Sequence, residues 1–319
     1  MTWPNSHFIR SDGFQIATYS FGPKDGLSVI LVHGWPEIAY SWKLTIPALI
    51  TAGYRVIAFD LRGFGRSDVP VGDVHYAMPQ LVGDIEAVMD GYGINHAAII
   101  GHDWGASIVW HAARMISQRI TKVIGICVPH TARAPAAPLS IIEKRAGRRH
   151  YFLEYKYRPD KVAELFSQDV DGFFRLMFRS VPDDAIADDT FTFIPEKFKA
   201  FLKTGAPPLK GQILNDLDRA VFIEAYTRTG FRSGMNLYRN IDENWYLSEG
   251  MSDHISQPVL MISPERDLLL PPELAAPMKH MVDDFTQVRI PDCGHWAMWE
   301  QPEAVNAAIL KWLNVKYEV

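Results

Sequence analysis

Short runs of apolar and β-branched residues recur along the first part of the chain, separated by longer stretches with helical spacing. Val29-Ile30-Leu31-Val32, Val56-Ile57-Ala58-Phe59, Ala97-Ala98-Ile99-Ile100 and Val123-Ile124-Gly125-Ile126 each read as a buried strand. Tyr40 to Thr51, Gln80 to Tyr92 and Trp104 to Ser117 read as helices between them; Leu81, Ile85, Val88 and Met89 share one helical face. Strands alternating with helices predict βαβ units and a mostly parallel sheet.

The alternation breaks at the Pro/Ala-rich connector Arg133-Ala134-Pro135-Ala136-Ala137-Pro138. From about Leu139 to about Gly250 no buried strand is predicted. The segment reads as helices rich in Phe, Tyr and Arg, punctuated by Pro159, Pro182, Pro195, Pro207 and Pro208. Strands resume at Pro258–Ile262 and Phe285–Ile290, and a last helix is predicted over Pro302–Leu313. The expected architecture is an α/β core in two parts, 1–132 and 251–319, interrupted by a helical lid at 133–250. No internal repeat or low-complexity segment is evident.

Composition narrows the field of functions. With 319 residues, 48% hydrophobic and 22% charged, the chain has ample material for a large core. A net charge of −5 gives no sign of nucleic-acid binding. The one basic run, Lys144, Arg145, Arg148 and Arg149, is read as the solvated face of a helix. Cys127 and Cys293, the only 2 cysteines, show neither metal-ligand nor disulfide spacing, and Cys127 is expected to be a small buried residue. The segment Met1-Thr2-Trp3-Pro4-Asn5 has no signal-peptide pattern, and no apolar run reaches the roughly 18 residues of a membrane span. The expectation is a cytoplasmic protein without membrane partners.

The chemistry concentrates where a strand meets a helix. Gly101-His102-Asp103-Trp104-Gly105 has the form of the G-x-S-x-G nucleophile elbow with aspartate in the serine position. A serine that attacked an alkyl carbon would form an ether, a dead end; an aspartate forms an ester, which water cleaves. The residue type therefore points to substitution at saturated carbon. The simpler alternative is that Asp103 only caps the following helix. His295, after the last strand, is the candidate base. Asp267, after the Pro258–Ile262 strand, is the candidate orienting acid, preferred over its neighbour Glu265. Other histidines, such as His75, His111 and His280, lack this context and are expected to be structural or exposed. His33-Gly34-Trp35-Pro36 follows a strand end, and the backbone N–H groups of Trp35 and Trp104 are the expected oxyanion donors. Pro36 is suited to a cis bond before it.

Together, His33-Gly34-Trp35-Pro36, Gly101–Gly105, Asp267 and His295 resemble the epoxide hydrolases of the α/β-hydrolase superfamily over essentially the whole chain. The resemblance implies two lid tyrosines that hold the epoxide oxygen. Tyr238, in Leu237-Tyr238-Arg239-Asn240 before Asn244-Trp245, matches the second of these. Tyr151, in His150-Tyr151-Phe152-Leu153, matches the first, although Pro159 falls one residue later than the family spacing and leaves Tyr155 and Tyr157 as rivals. It further implies a small apolar epoxide and water as the only partners, no cofactor and no metal, with Trp35, Trp104, Tyr151 and Tyr238 also contacting substrate. Oligomeric state stays open, a homodimer included. A haloalkane dehalogenase with the same Asp/His/Asp machinery, or a non-catalytic binding protein on this fold, are the alternatives. Trp104 and Ser107 stand where haloacetate dehalogenases carry arginines, which counts against a haloacid substrate.

Overall fold

Runs that are apolar at every position form the centre of an eight-stranded sheet, because both of its faces are covered. Within β3 (Ser28–Val32), Ile30 and Val32 face one core cluster while Val29 and Leu31 face the other. The same alternation recurs in β4 (Arg55–Phe59) and β5 (Ala97–His102). Each fully buried branched side chain of this kind contributes about 1.5–3 kcal/mol relative to exposure. The computed structural model describes residues 3–148, 150–181, 194–204 and 211–314. Met1, Thr2, Arg149, Pro182, Pro207 and Pro208 lie outside the described residues.

The strand order is β1-β2-β4-β3-β5-β6-β7-β8, with β1 (His7–Ser11), β2 (Phe14–Phe21), β6 (Ile120–Ile126), β7 (Val259–Pro264) and β8 (Phe285–Ile290) completing the set. From β4 to β8 every pairing is parallel; β1 and β2 form an antiparallel hairpin at one edge. Its turn is Asp12-Gly13, both with positive φ (49° and 86°), a geometry that favours Asp-Gly. The helices Met78–Gly91 and Trp104–Met115 cover one face. The helices Ile46–Thr51 and Pro302–Leu313 cover the other.

Two local expectations need correction. Tyr40–Thr51 is not one helix: a 3-10 turn at Ala39–Trp42 is followed by an α-helix that starts only at Ile46. Pro47, which cannot continue a helix from upstream, sits in the first turn of the second piece, where it is tolerated. The basic run is also not one helical face. Lys144 and Arg145 occupy the last turn of the helix Pro138–Ala146, while exposed Arg148 lies beyond it, paired with Glu143 at 2.6 Å.

Between β6 and β7 the described elements are helices, from Pro138–Ala146 to Ile241–Leu247. Phe166, Phe173, Phe198 and Phe231 interlock there, with Phe166 and Phe173 ring centroids 4.6 Å apart. This aromatic cluster merges with the core face under Trp104–Met115, so the helical layer rests directly on the strand ends. The motif around Tyr238 supplies the latch. Arg239 donates twice to Asp73 Oδ2 (2.9 and 2.7 Å), and Asn240 donates to the Asp73 carbonyl at 2.7 Å. Asn244 Oδ1 accepts from the Met78 amide at 2.8 Å. Trp245 Nε1 donates to the Ala134 carbonyl at 2.7 Å. Among the described residues, no helix is long and apolar enough to cross a membrane.

Candidate active site

The turn from β5 into the helix Trp104–Met115 forces Asp103 to φ 53° and ψ −120°, a strained conformation for a non-glycine residue. A Cβ on Gly101 would lie 2.2 Å from the Gly105 carbonyl oxygen, and one on Gly105 would lie 2.0 Å from that of Val32, so both glycines are required by close approach. Asp103 occupies the N-cap position, yet its side chain caps nothing. Its Oδ1 instead accepts the Trp35 amide at 2.8 Å, and its Oδ2 lies 3.6 Å from His295 Nε2.

His295 Nδ1 lies 2.7 Å from Asp267 Oδ2, and Asp267 Oδ1 accepts the amides of Leu269 and Leu270, each at 3.1 Å. Glu265 is exposed and does not take this place. Burial pushes the Asp267 carboxyl up, but the His295 charge and these hydrogen bonds outweigh it and hold the group below the usual aspartate range. Burial alone would lower His295; Asp267 first, then Cys127 and the contact with Asp103, carry it well above the usual histidine value. Asp103 and Asp267 thus flank the imidazole on its two ring nitrogens.

These groups open onto a cavity of about 470 Å³, whose walls include Trp35, Trp104, Phe152, Met177 and Ile194. Tyr151 and Tyr238 line it together with Asp103 and His295. Their rings are 5.6 Å apart at 68°, and Tyr238 also meets Trp104 edge-on at 5.0 Å. Burial, then the Asp103 charge among the neighbouring groups, raises both phenols, so both remain protonated at neutral pH. The two rivals sit elsewhere. Tyr155 is fully buried behind Tyr238, with ring centroids 4.9 Å apart, and its hydroxyl has no partner. Tyr157 is 55% exposed.

The loop after β3 supplies the Trp35 amide, and its Trp35–Pro36 bond is cis. His33 Nε2 accepts the Leu61 amide at 2.9 Å, so Nδ1 carries the proton donated to the Gly34 carbonyl at 2.8 Å. The Trp104 amide belongs to the first helical turn, where N–H groups have no intrahelical acceptor and point toward the cavity end of the helix.

A model of the alpha/beta hydrolase fold matches residues 28–302. Epoxide hydrolase A of Mycobacterium tuberculosis is 32% identical over 98% of this chain and 98% of that protein. The chain belongs to the epoxide hydrolase family of α/β-hydrolases. The pig bifunctional epoxide hydrolase 2 (Sus scrofa) is 31% identical over 91% of this chain, which spans only 52% of that longer protein. The crystal structure of epoxide hydrolase A from Mycobacterium thermoresistibile superposes with a TM-score of 0.87 at 32% identity, covering 98% of both chains.

Three site residues of this α/β-hydrolase were missed by sequence reasoning. Buried His102 places Nδ1 2.8 Å from Glu37 Oε2 and Nε2 2.8 Å from the His295 carbonyl. Glu37 Oε2 also accepts the Gly34 amide at 2.8 Å, so this pair ties the loop after β3 to the loop that carries His295. Glu300 accepts the amides on either side of His295, Gly294 at 3.1 Å and Trp296 at 3.0 Å. Burial raises its carboxyl. The spacing of Glu300, five residues after His295, was the only available signal. His102, Cys127 and His295 bring potential metal-ligating atoms within 4.8 Å of one another, but their ring nitrogens already face Glu37, Asp267, Asp103 and a carbonyl. Cys293 is buried, which pushes its thiol up and away from reactive thiolate.

Proposed function

We propose that this protein hydrolyses epoxides to vicinal diols through an ester on Asp103. The observation that carries the reading is one cavity lined by Asp103, His295 and the phenols of Tyr151 and Tyr238, whose burial favours their protonated form. In the first step Asp103 attacks a ring carbon, the carbon–oxygen bond breaks, and the phenols hydrogen-bond and protonate the departing alkoxide. The names of the relatives, all epoxide hydrolases, support the same chemistry.

The electrostatics link the two steps. While Asp103 is a carboxylate it helps keep His295 protonated. Ester formation removes that negative charge from beside Nε2, so His295 gives up its proton to the phenolate left by the first step, which restores the phenol and leaves a neutral imidazole for the stage that needs a base. His295, oriented by Asp267, then takes a proton from water. Hydroxide adds to the Asp103 carbonyl, the Trp35 and Trp104 amides stabilise the oxyanion, and the diol leaves as the carboxylate re-forms. Residues 133–250 act as the lid that brings the phenols over the nucleophile and excludes bulk water.

The test offers the purified protein a terminal epoxide and a chloroalkane of matched length. Diol formation without halide release is expected. Halide release with no diol would transfer the protein to the dehalogenase reading, and ligand binding with no turnover of either would make it a binding protein on this fold.

A further inference from the structure

The helix that carries Tyr151, Tyr151–Tyr157, opens on a histidine. His150 has non-helical backbone (φ −58°, ψ 133°), and its carbonyl accepts the Leu153 and Glu154 amides at 2.9 and 3.2 Å, which makes it the N-cap. Its Nδ1 accepts the Phe152 amide at 3.3 Å. A ring nitrogen that accepts carries no proton, so this imidazole is neutral with its hydrogen on Nε2. Two other lid helices have side-chain caps. Asp169 accepts the Gly172 amide at 2.8 Å, and Asn215 accepts the Asp218 amide at 2.9 Å. Asparagine does not titrate and aspartate does so only in acid, whereas histidine titrates near neutrality. Among the described residues, the helix bearing the candidate phenol is the one lid helix capped in this way.

The same imidazole packs on the phenol. Its ring stacks on that of Tyr151, with centroids 5.1 Å apart at 21°, whereas Phe152, Tyr155 and Tyr238 meet Tyr151 at 86°, 74° and 68°. His150 also lines the cavity shared by Asp103, Tyr151 and Tyr238. Protonation of Nδ1 would turn the acceptor into a donor facing the Phe152 N–H, and would place a cation at a helix N-terminus, where the dipole opposes it. Charged groups surround the ring at a distance: Glu143, Lys144, Arg145 and Arg148 before it, Glu154 and Lys156 on its own helix, Glu196 and Lys199 on the helix Ile194–Thr204, Arg239 beside Tyr238, and Asp103 and His295 across the cavity. Burial alone moves His150, to below the usual histidine value.

We propose that His150 is a positioning residue for Tyr151: its neutral imidazole fixes the first helical turn and the phenol ring together, and protonation in mild acid releases both and slows ring opening. The kinetic consequence rests on the epoxide-opening role of Tyr151; the coupling of the two rings does not. The sign follows from the geometry. The competent form is the neutral one, so the rate of ester formation is level above the folded-state pKa of His150 and falls as pH drops through it.

The experiment follows single-turnover ester formation on a terminal epoxide between pH 8 and pH 5. In the native protein the rate is expected to fall at least threefold over this range. His150→Ala is expected to be at least tenfold slower at pH 8, and His150→Asn, which restores a cap acceptor that does not titrate, to recover most of that loss and to show no fall toward pH 5. In a Tyr151→Phe background His150→Ala should cost little more, because it acts through the phenol. An acid limb that persists in His150→Asn, or an undiminished cost of His150→Ala in the Tyr151→Phe background, overturns the proposal. A second measurement needs no substrate. In protein with carbon-13 labelled tyrosine rings, the Tyr151 resonance and the Phe152 amide are expected to shift with one shared midpoint that is absent in His150→Asn. A Tyr151 resonance that ignores the titration overturns the coupling whatever the activity. A shared midpoint without turnover of any epoxide upholds the coupling and defeats the epoxide reading instead.

Discussion

Replacing Gly34 by alanine tests whether the nucleophile is held as tightly as the geometry implies. Gly34 has no positive φ, so alanine is allowed by the backbone; the obstacle is contact. The new methyl carbon would lie 2.5 Å from Asp103 Cβ, 2.5 Å from Asp103 Oδ1 and 2.7 Å from the His102 carbonyl oxygen. Restoring ordinary contact at 3.4 Å needs a displacement of about 0.9 Å between the loop after β3 and Asp103. Misplacement of reacting groups by about 1 Å costs roughly a hundredfold in rate, or about 2.7 kcal/mol of transition-state stabilisation. Gly34→Ala is therefore expected to lower kcat/KM on a terminal epoxide about a hundredfold while remaining folded by circular dichroism. A variant within threefold of native, with Asp103 unmoved in a crystal structure, would refute the reasoning.

Other expectations follow from the same geometry. Tyr238→Phe and Tyr151→Phe each remove one phenol and are expected to slow ester formation by about 10²-fold or more in stopped-flow measurements; a single substitution that leaves the alkylation rate unchanged removes that tyrosine from the mechanism. Glu300→Ala frees the amides flanking His295 and is expected to slow ester hydrolysis more than ester formation, so that the intermediate accumulates in a quenched reaction; equal slowing of both steps would deny it a positioning role. The Arg239 hydrogen bond, against some opposing burial, holds Asp73 below the usual aspartate value, so the latch stabilises the fold above the unfolded-state pKa and loses this contribution as pH falls through the folded value. Asp73→Asn is therefore expected to lower Tm near pH 7 but not near pH 2, and a gap that is constant with pH would contradict the assignment.

The parallel strands were legible because covered faces demand apolar residues at every position, and Val29–Val32 or Ala97–Ile100 have no other simple reading. The edge hairpin was not. β1 is largely exposed on both sides and shows no apolar run, although Asp12-Gly13 was a usable turn signal. At the site, Asp103, Asp267 and His295 were legible because each follows a strand end, where this fold gathers its chemistry. Glu37 and His102 meet across 65 residues of sequence, and nothing local marks that contact. Tyr151 and Tyr155 are one helical turn apart, so spacing places both on nearly the same face. Packing separates them: Tyr155 wedges against Trp35 and Tyr238, and Tyr151 is left facing the cavity.

The central claim is a covalent ester on Asp103, and a single turnover in water enriched in oxygen-18 tests it most directly. With enzyme in excess, the first diol released should be largely unlabelled, because its new oxygen comes from the Asp103 carboxylate, and mass spectrometry of the peptide containing Asp103 should show the heavy isotope there. Full labelling of the first-turnover diol, with none in Asp103, would mean that water attacks the epoxide directly and would contradict the account.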